Sequence, residues 1–147
     1  PTRGSDTNAN QIQVLYSLAT SLNGGSPTTS LNLWWNRGSV INTWESLAGE
    51  SPETTAEVFL ATGLTAGREY QFKFRAKNIY GWGDFSPIVT VTAAKEPDQP
   101  SAPTTTIQAT NVRISWEEPG TQGSIITSYL IEVLTGDAAT YNTETPS

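Results

Sequence analysis

The chain has 147 residues, a formal net charge of −6 from eight Lys and Arg against fourteen Asp and Glu, a pI near 4.5, and an ordinary globular balance of 36% hydrophobic and 15% charged residues. That acidity argues against a nucleic-acid surface or an anionic membrane, because phosphate recognition needs a basic stripe and the few cations here are scattered. No apolar run approaches the roughly 20 residues that cross a bilayer, and no charged-then-apolar leader is present, so no membrane contact is expected within this segment.

The missing residue types narrow the chemistry further. Cysteine, histidine and methionine are all absent, which removes disulfides, thiol nucleophiles, imidazole acid/base chemistry and thiolate or imidazole metal sites together. A chain that opens at Pro1 without a methionine anywhere lacks its own translation start and is expected to be processed, engineered or part of something longer.

In chain order, period-two patterns bounded by turn residues recur about every ten residues, and no stretch holds a helical period. "QIQVLYSL", Gln11 to Leu18, puts Ile12, Val14 and Tyr16 on one face, and no strand is evident before it. "SLNLWWN" puts Leu31, Leu33 and Trp35 together, with Asn32 and Trp34 opposite. "INTWESL", "AEVFLATGL", "EYQFKFRAKN" and "SPIVTVTAA" are the next strands, separated by "NGGSP", "AGESPE", "LTAGRE" and "YGWGD", which are turn chemistry. Six such strands within one domain's length predict an all-β, antiparallel sandwich. "KEPDQPSAP" then supplies three prolines and no large apolar side chain, the composition of a short stiff linker.

After the linker the opening recurs in altered form. "NVRISWEEPGTQGSIITSYLIEVL" lies over "QIQVLYSLATSLNGGSPTTSLNLWW", so that Trp116 matches Tyr16, Gly123 and Ser124 match Gly25 and Ser26, and Tyr129 and Ile131 match Leu31 and Leu33. The period is one domain long. The expected division is therefore residues 1–95 as one domain and 96–147 as the first half of another.

These residues resemble two successive fibronectin type III domains. Trp116, Pro119, Gly123 and "YLIEV" from Tyr129 are similar to the family's second-strand tryptophan, its Pro- or Gly-bearing loop and its third strand. Trp44 in "TWESL" resembles the family's next tryptophan, and "GLTAGREYQFKFRAKNIYG" its long sixth-strand segment, with glycine and alanine where the fold needs small residues. Tyr16 stands where the family usually has tryptophan. The resemblance implies immunoglobulin-like sandwiches in tandem and a tyrosine corner, in which the Tyr70 phenol bonds backbone in the turn after Leu64. It also implies an extracellular or cell-surface setting and no cofactor.

Tyr70, Phe72, Phe74 and Ala76 alternate with Gln71, Lys73 and Arg75, so one set is expected in the core and the other in solvent. Trp82, between Gly81 and Gly83, is expected to fold back over Lys73 or Arg75 as a cation–π contact. Trp34, Trp44 and Trp82 with Lys73 and Arg75 form the candidate interaction face. Flat aromatics with few charges around them suit a neighbouring protein module or a sugar ring, while long side chains lying over the indoles would make the cluster structural.

Catalysis finds little support. Hydroxyl side chains are plentiful, but without histidine or a Gly-x-Ser-x-Gly turn nothing activates one. Adjacent Glu117 and Glu118 point apart on an alternating strand, and Asp84, Glu96 and Asp98 do not form a calcium loop, so no catalytic, cofactor or metal residue is assigned. In the second half, Val112, Ile114, Trp116, Tyr129, Ile131 and Val133 would lack a facing sheet. At about 1.5 to 3 kcal/mol each, that forfeits burial as large as a domain's whole net stability. The reading is a non-catalytic structural or adhesion segment of a tandem-repeat protein, a head-to-tail fibre unit included, whose partners are neighbouring copies of the repeat or another protein. The alternatives are an accessory or carbohydrate-binding module of an enzyme, with a glycan as ligand, and a receptor ectodomain segment.

Overall fold

The structure, a computed structural model, describes residues 1–18, 25–41, 43–134 and 141–144; part of the expected "NGGSP" turn and of the tail after Leu134 lies outside them. Twelve strands are described: β1 (Thr2–Arg3), β2 (Gln11–Leu15), β3 (Ser30–Trp35), β4 (Glu45–Ala48), β5 (Val58–Thr62), β6 (Glu69–Asn78), β7 (Gly81–Trp82), β8 (Val89–Thr92), β9 (Thr104–Gln108), β10 (Asn111–Ser115), β11 (Ile131–Leu134) and β12 (Tyr141–Glu144).

One antiparallel sheet has the order β1-β2-β5. The other has the order β4-β3-β6, with β7 and β8 both pairing the far side of β6. These two are the halves of one interrupted edge strand. The expectation of no strand before Gln11 is corrected: Thr2 and Arg3 pair with Leu15 and Val14, and the Arg3 guanidinium donates to the Ala94 carbonyl at 2.8 Å. Two residues are too few to carry a period, so only the pairing reveals this strand.

The core lies between these sheets. Ile12, Val14 and Tyr16 from β2 and the residue after it meet Leu31 and Leu33 of β3, Tyr70, Phe72 and Phe74 of β6, and Val91 and Ala93, with Ile12, Val14, Leu33 and Phe72 fully enclosed. Alternation thus delivers the expected faces of β2, β3 and β6 to the core. Trp35 faces inward with them, stacked on Tyr70 at 6.0 Å between ring centroids. The Tyr16 hydroxyl is buried with no partner among the described residues, and burial pushes its pKa above that of an ordinary phenol. A buried hydroxyl is the local cost of tyrosine at this position.

Tyr70 makes the corner. Its phenolic oxygen accepts the Thr65 N–H at 3.0 Å, which pins the turn between β5 and β6 to the core ring. Tyr70→Phe should keep the fold and lower stability by about 0.5 to 1.5 kcal/mol, since the N–H of exposed Thr65 can turn to water. Denaturant titration of both chains checks this.

Residues after Ala94 form two antiparallel pairs, β9 with β10 and β11 with β12. Trp116 and Tyr129 meet between them at 5.4 Å between ring centroids. No described residue of this segment is buried, and Val112 is 61% exposed.

The segment nonetheless touches the first domain at a defined seam. Lys95 N–H donates across the boundary to the Gln122 carbonyl at 3.2 Å. Within the segment the same loop is tied to the linker, Asp98 N–H donating to the Gly120 carbonyl at 2.9 Å and the Gln122 side-chain amide to the Asp98 carboxylate at 2.8 Å. Gly123, at φ +91°, comes so close to the turn before β6 that a Cβ there would stand 2.7 Å from both the Gly67 nitrogen and the Ala93 oxygen. Only glycine permits that approach.

Candidate functional site

The candidate residues converge on the outer face of the β4-β3-β6 sheet. Strand register sets Trp34 opposite Lys73 and Asn32 opposite Arg75. Since Lys73, Arg75 and Lys77 lie two residues apart on β6, their side chains rise from the same face in a row. β7 pairs with the end of β6, Trp82 opposite Lys77, which brings its indole over that row.

The interruption between β7 and β8 completes the arrangement. Gly83 N–H still bonds the Ala76 carbonyl at 2.9 Å and Ser86 N–H the Phe74 carbonyl at 2.8 Å, while the Ser86 hydroxyl accepts the Phe74 N–H at 3.1 Å. Held at both ends, the residues between them turn Phe85 onto the outer face.

The result is an alternating stack of cations and rings. Lys73 Nζ lies 4.1 Å from the Trp44 centroid, 4.4 Å from Phe85 and 5.9 Å from Trp34. The Arg75 guanidinium lies 4.8 Å from Trp82, 4.8 Å from Phe85 and 5.6 Å from Trp34. Lys77 Nζ stands 5.6 Å from the Trp82 centroid and pairs with Glu53. Contacts of this kind contribute about 0.5 to 1 kcal/mol each when exposed, and about 2 when desolvated.

Beneath the stack is a residue the sequence pattern does not mark. Asn32, on the outward side of β3, is fully buried: its Oδ1 accepts both the Trp34 indole N–H and the Arg75 Nε–H, the latter at 3.1 Å. Its amide nitrogen donates to the Ser46 hydroxyl at 2.8 Å and the Ala48 carbonyl at 2.9 Å. One side chain therefore orients an indole and a guanidinium and ties β4 to β3.

All five candidates, Trp34, Trp44, Trp82, Lys73 and Arg75, belong to this array. Trp82 folds back onto Arg75, one of its two expected partners. Sequence reading missed Phe85, Lys77, Asn32 and Glu53. Continuing the alternation one step along β6 reaches Lys77, but nothing local marks Asn32 or Glu53. Among the described residues no carboxylate lies within ion-pair distance of Lys73 or Arg75. The face is thus a cationic strip on an acidic chain, and the long side chains over its indoles are the covering expected of a structural cluster, leaving those ring faces occupied.

Two facing antiparallel sheets, with one edge strand split in two and a tyrosine corner before β6, define an immunoglobulin-like sandwich. The Fibronectin type III domain profile matches residues 2–92, and the chain belongs to that family. It is 32% identical over 126 residues, 84% of its length, to Fibronectin type-III domain-containing protein 3a of Gallus gallus. It is 31% identical over 113 residues to the Homo sapiens protein 3A. The chain spans about a tenth of the length of these curated relatives. The solved sixth fibronectin type III domain of human fibronectin type III domain containing protein 3 superposes with a TM-score of 0.53 at 20% identity, covering 69% of this chain and 88% of that one.

Proposed function

We propose that this chain is a non-catalytic structural segment of a longer tandem-repeat protein, in which residues 96–147 are the first half of a second fibronectin type III repeat set at a fixed angle to the first. The observation that carries the reading is the seam. The loop bearing Gly120 to Gly123 meets the linker and the turn before β6 through backbone hydrogen bonds and a glycine-to-glycine approach. A flexible tether needs no such contact, whereas a spacer that holds its repeats in register does.

Two further observations support it. The similarity to the Gallus gallus protein runs over 126 residues, past the 2–92 span of the family match. The ends of the segment's two strand pairs also bring Trp116 and Tyr129 together, giving an apolar face of the kind a second sheet covers. In this reading the cationic strip is the adhesive surface, turned toward an acidic patch on a neighbouring repeat or another protein.

Gly123→Ala tests the seam. Its added Cβ meets two backbone atoms that cannot move aside, so the loop should lift off while the first sandwich stays folded. By amide hydrogen exchange, Lys95 should lose protection and Phe72 should keep it. Unchanged protection at Lys95 would refute a seam that fixes the angle.

A further inference from the structure

The outer edge of β5 offers a strand-pairing surface, and we infer that its occupant is β5 of a second copy of this chain, related by a two-fold axis through Leu60. β5 is the end strand of the β1-β2-β5 sheet, bonded only on its β2 side among the described residues. Tyr16 N–H donates to the Glu57 carbonyl at 2.9 Å, and the register continues from there through Leu15 opposite Val58 and Val14 opposite Phe59. Alternation of an antiparallel ladder then aims the N–H and C=O groups of Glu57, Phe59 and Ala61 at β2, and those of Val58, Leu60 and Thr62 at the open edge.

That edge lacks the usual guards. "VFLAT" holds no lysine, proline or acidic residue, and its outward side chains Val58 and Leu60 are 50% and 43% exposed beside Leu15 at 36%. Sheet edges in monomeric proteins are commonly blunted by charge, proline or a bulge. The other edges of the first domain's two sheets are: β1 spans two residues, β4 spans four and begins with Glu45, and the β7–β8 strand is broken.

The occupant follows from register. About an axis through Leu60, each Leu60 pairs with Leu60 of the second copy, and Val58 with Thr62 of the second copy. All of these are residues whose backbone groups point outward, so every pair can bond reciprocally. Glu57 falls opposite Gly63 of the second copy, so no like charges meet. The outward Val58, Leu60 and Leu15 of both copies would join into one apolar band, the self-complementary patch that a two-fold contact requires.

The absence of cysteine makes a single introduced thiol a clean reporter. Leu60 alone faces its own counterpart, so Leu60→Cys should cross-link under mild oxidation or with a short bis-maleimide, well above Thr90→Cys on the other sheet. Sedimentation of the unmodified chain at up to about 1 mM, where small interfaces still associate, should show a dimer that Leu60→Lys abolishes with an unchanged circular dichroism spectrum. Cross-linking at position 60 no greater than at position 90, a monomer throughout the concentration range, or a dimer that survives Leu60→Lys would each overturn the inference. Survival would place the contact elsewhere, for example on the open face around Trp116.

Discussion

Replacing Gly49 with alanine destabilises the first domain by about 2 to 5 kcal/mol, read as a lowered denaturant midpoint in tryptophan fluorescence. Gly49 sits at φ +84°, and a Cβ built there would lie 1.7 Å from the Leu31 carbonyl oxygen. The left-handed backbone costs an L-residue about 1 to 2 kcal/mol, and overpacking against rigid atoms about 1 to 3 more. The obstacle is backbone of a central strand, so no rotamer relieves it. The only escape is to move the segment after β4 away from β3. That would break the bond from the Ser30 hydroxyl to the Gly49 carbonyl at 2.9 Å and disturb the neighbouring one from Leu31 N–H to the Thr54 carbonyl. A midpoint within experimental error of the parent chain would mean that β4 and its exit are not held against β3 as described.

Asn32→Ala should cost about 2 to 4 kcal/mol. The side chain makes four hydrogen bonds from a fully enclosed position, and the Trp34 indole, Arg75, Ser46 and the Ala48 carbonyl each lose a partner. Net values near 1 kcal/mol per bond, with some partners regaining water at the sheet surface, give that range. The spectral consequence separates this loss from ordinary core damage. Trp34 should move to a more solvated environment, shifting emission to the red in the native baseline before unfolding begins, while the Phe72 core remains cooperative. Arg75→Gln is the control: it leaves Asn32 in place but removes the cation between Trp34, Trp82 and Phe85, so the baseline should shift with a smaller loss of stability.

The two results probe parts of the molecule that differ in how legible they were. The inward residues of β2, β3 and β6 were readable because burial on a pleated strand has a period of two, and Tyr70 because its turn and small residues accompany it. The candidate face was readable for the same reason, seen from the other side. Asn32 was not. A polar residue at an outward position predicts exposure, and it is buried because Trp34 of its own strand, Arg75 of β6 and β4 cover it. Phe85 was hidden by the same cause, since its placement depends on where β7 stops pairing and β8 begins. Thr2 and Arg3 form a strand only because β2 offers an edge to join. Pattern reading finds what a segment does alone and misses what its neighbours do to it.

The break between β7 and β8 does more than place Phe85. An edge interrupted there cannot template a long partner strand, and the opposite end of that sheet is the short β4. Of the strands bounding the two sheets of the first domain, β5 alone combines length, continuity and an uncharged run. Its contact across a two-fold axis consumes both copies' edges at once, so the domain has a valence of one. Units of valence one make pairs and stop. Growth into a long array would then have to run along the chain, repeat after repeat, with edge pairing able only to bind two such arrays side by side.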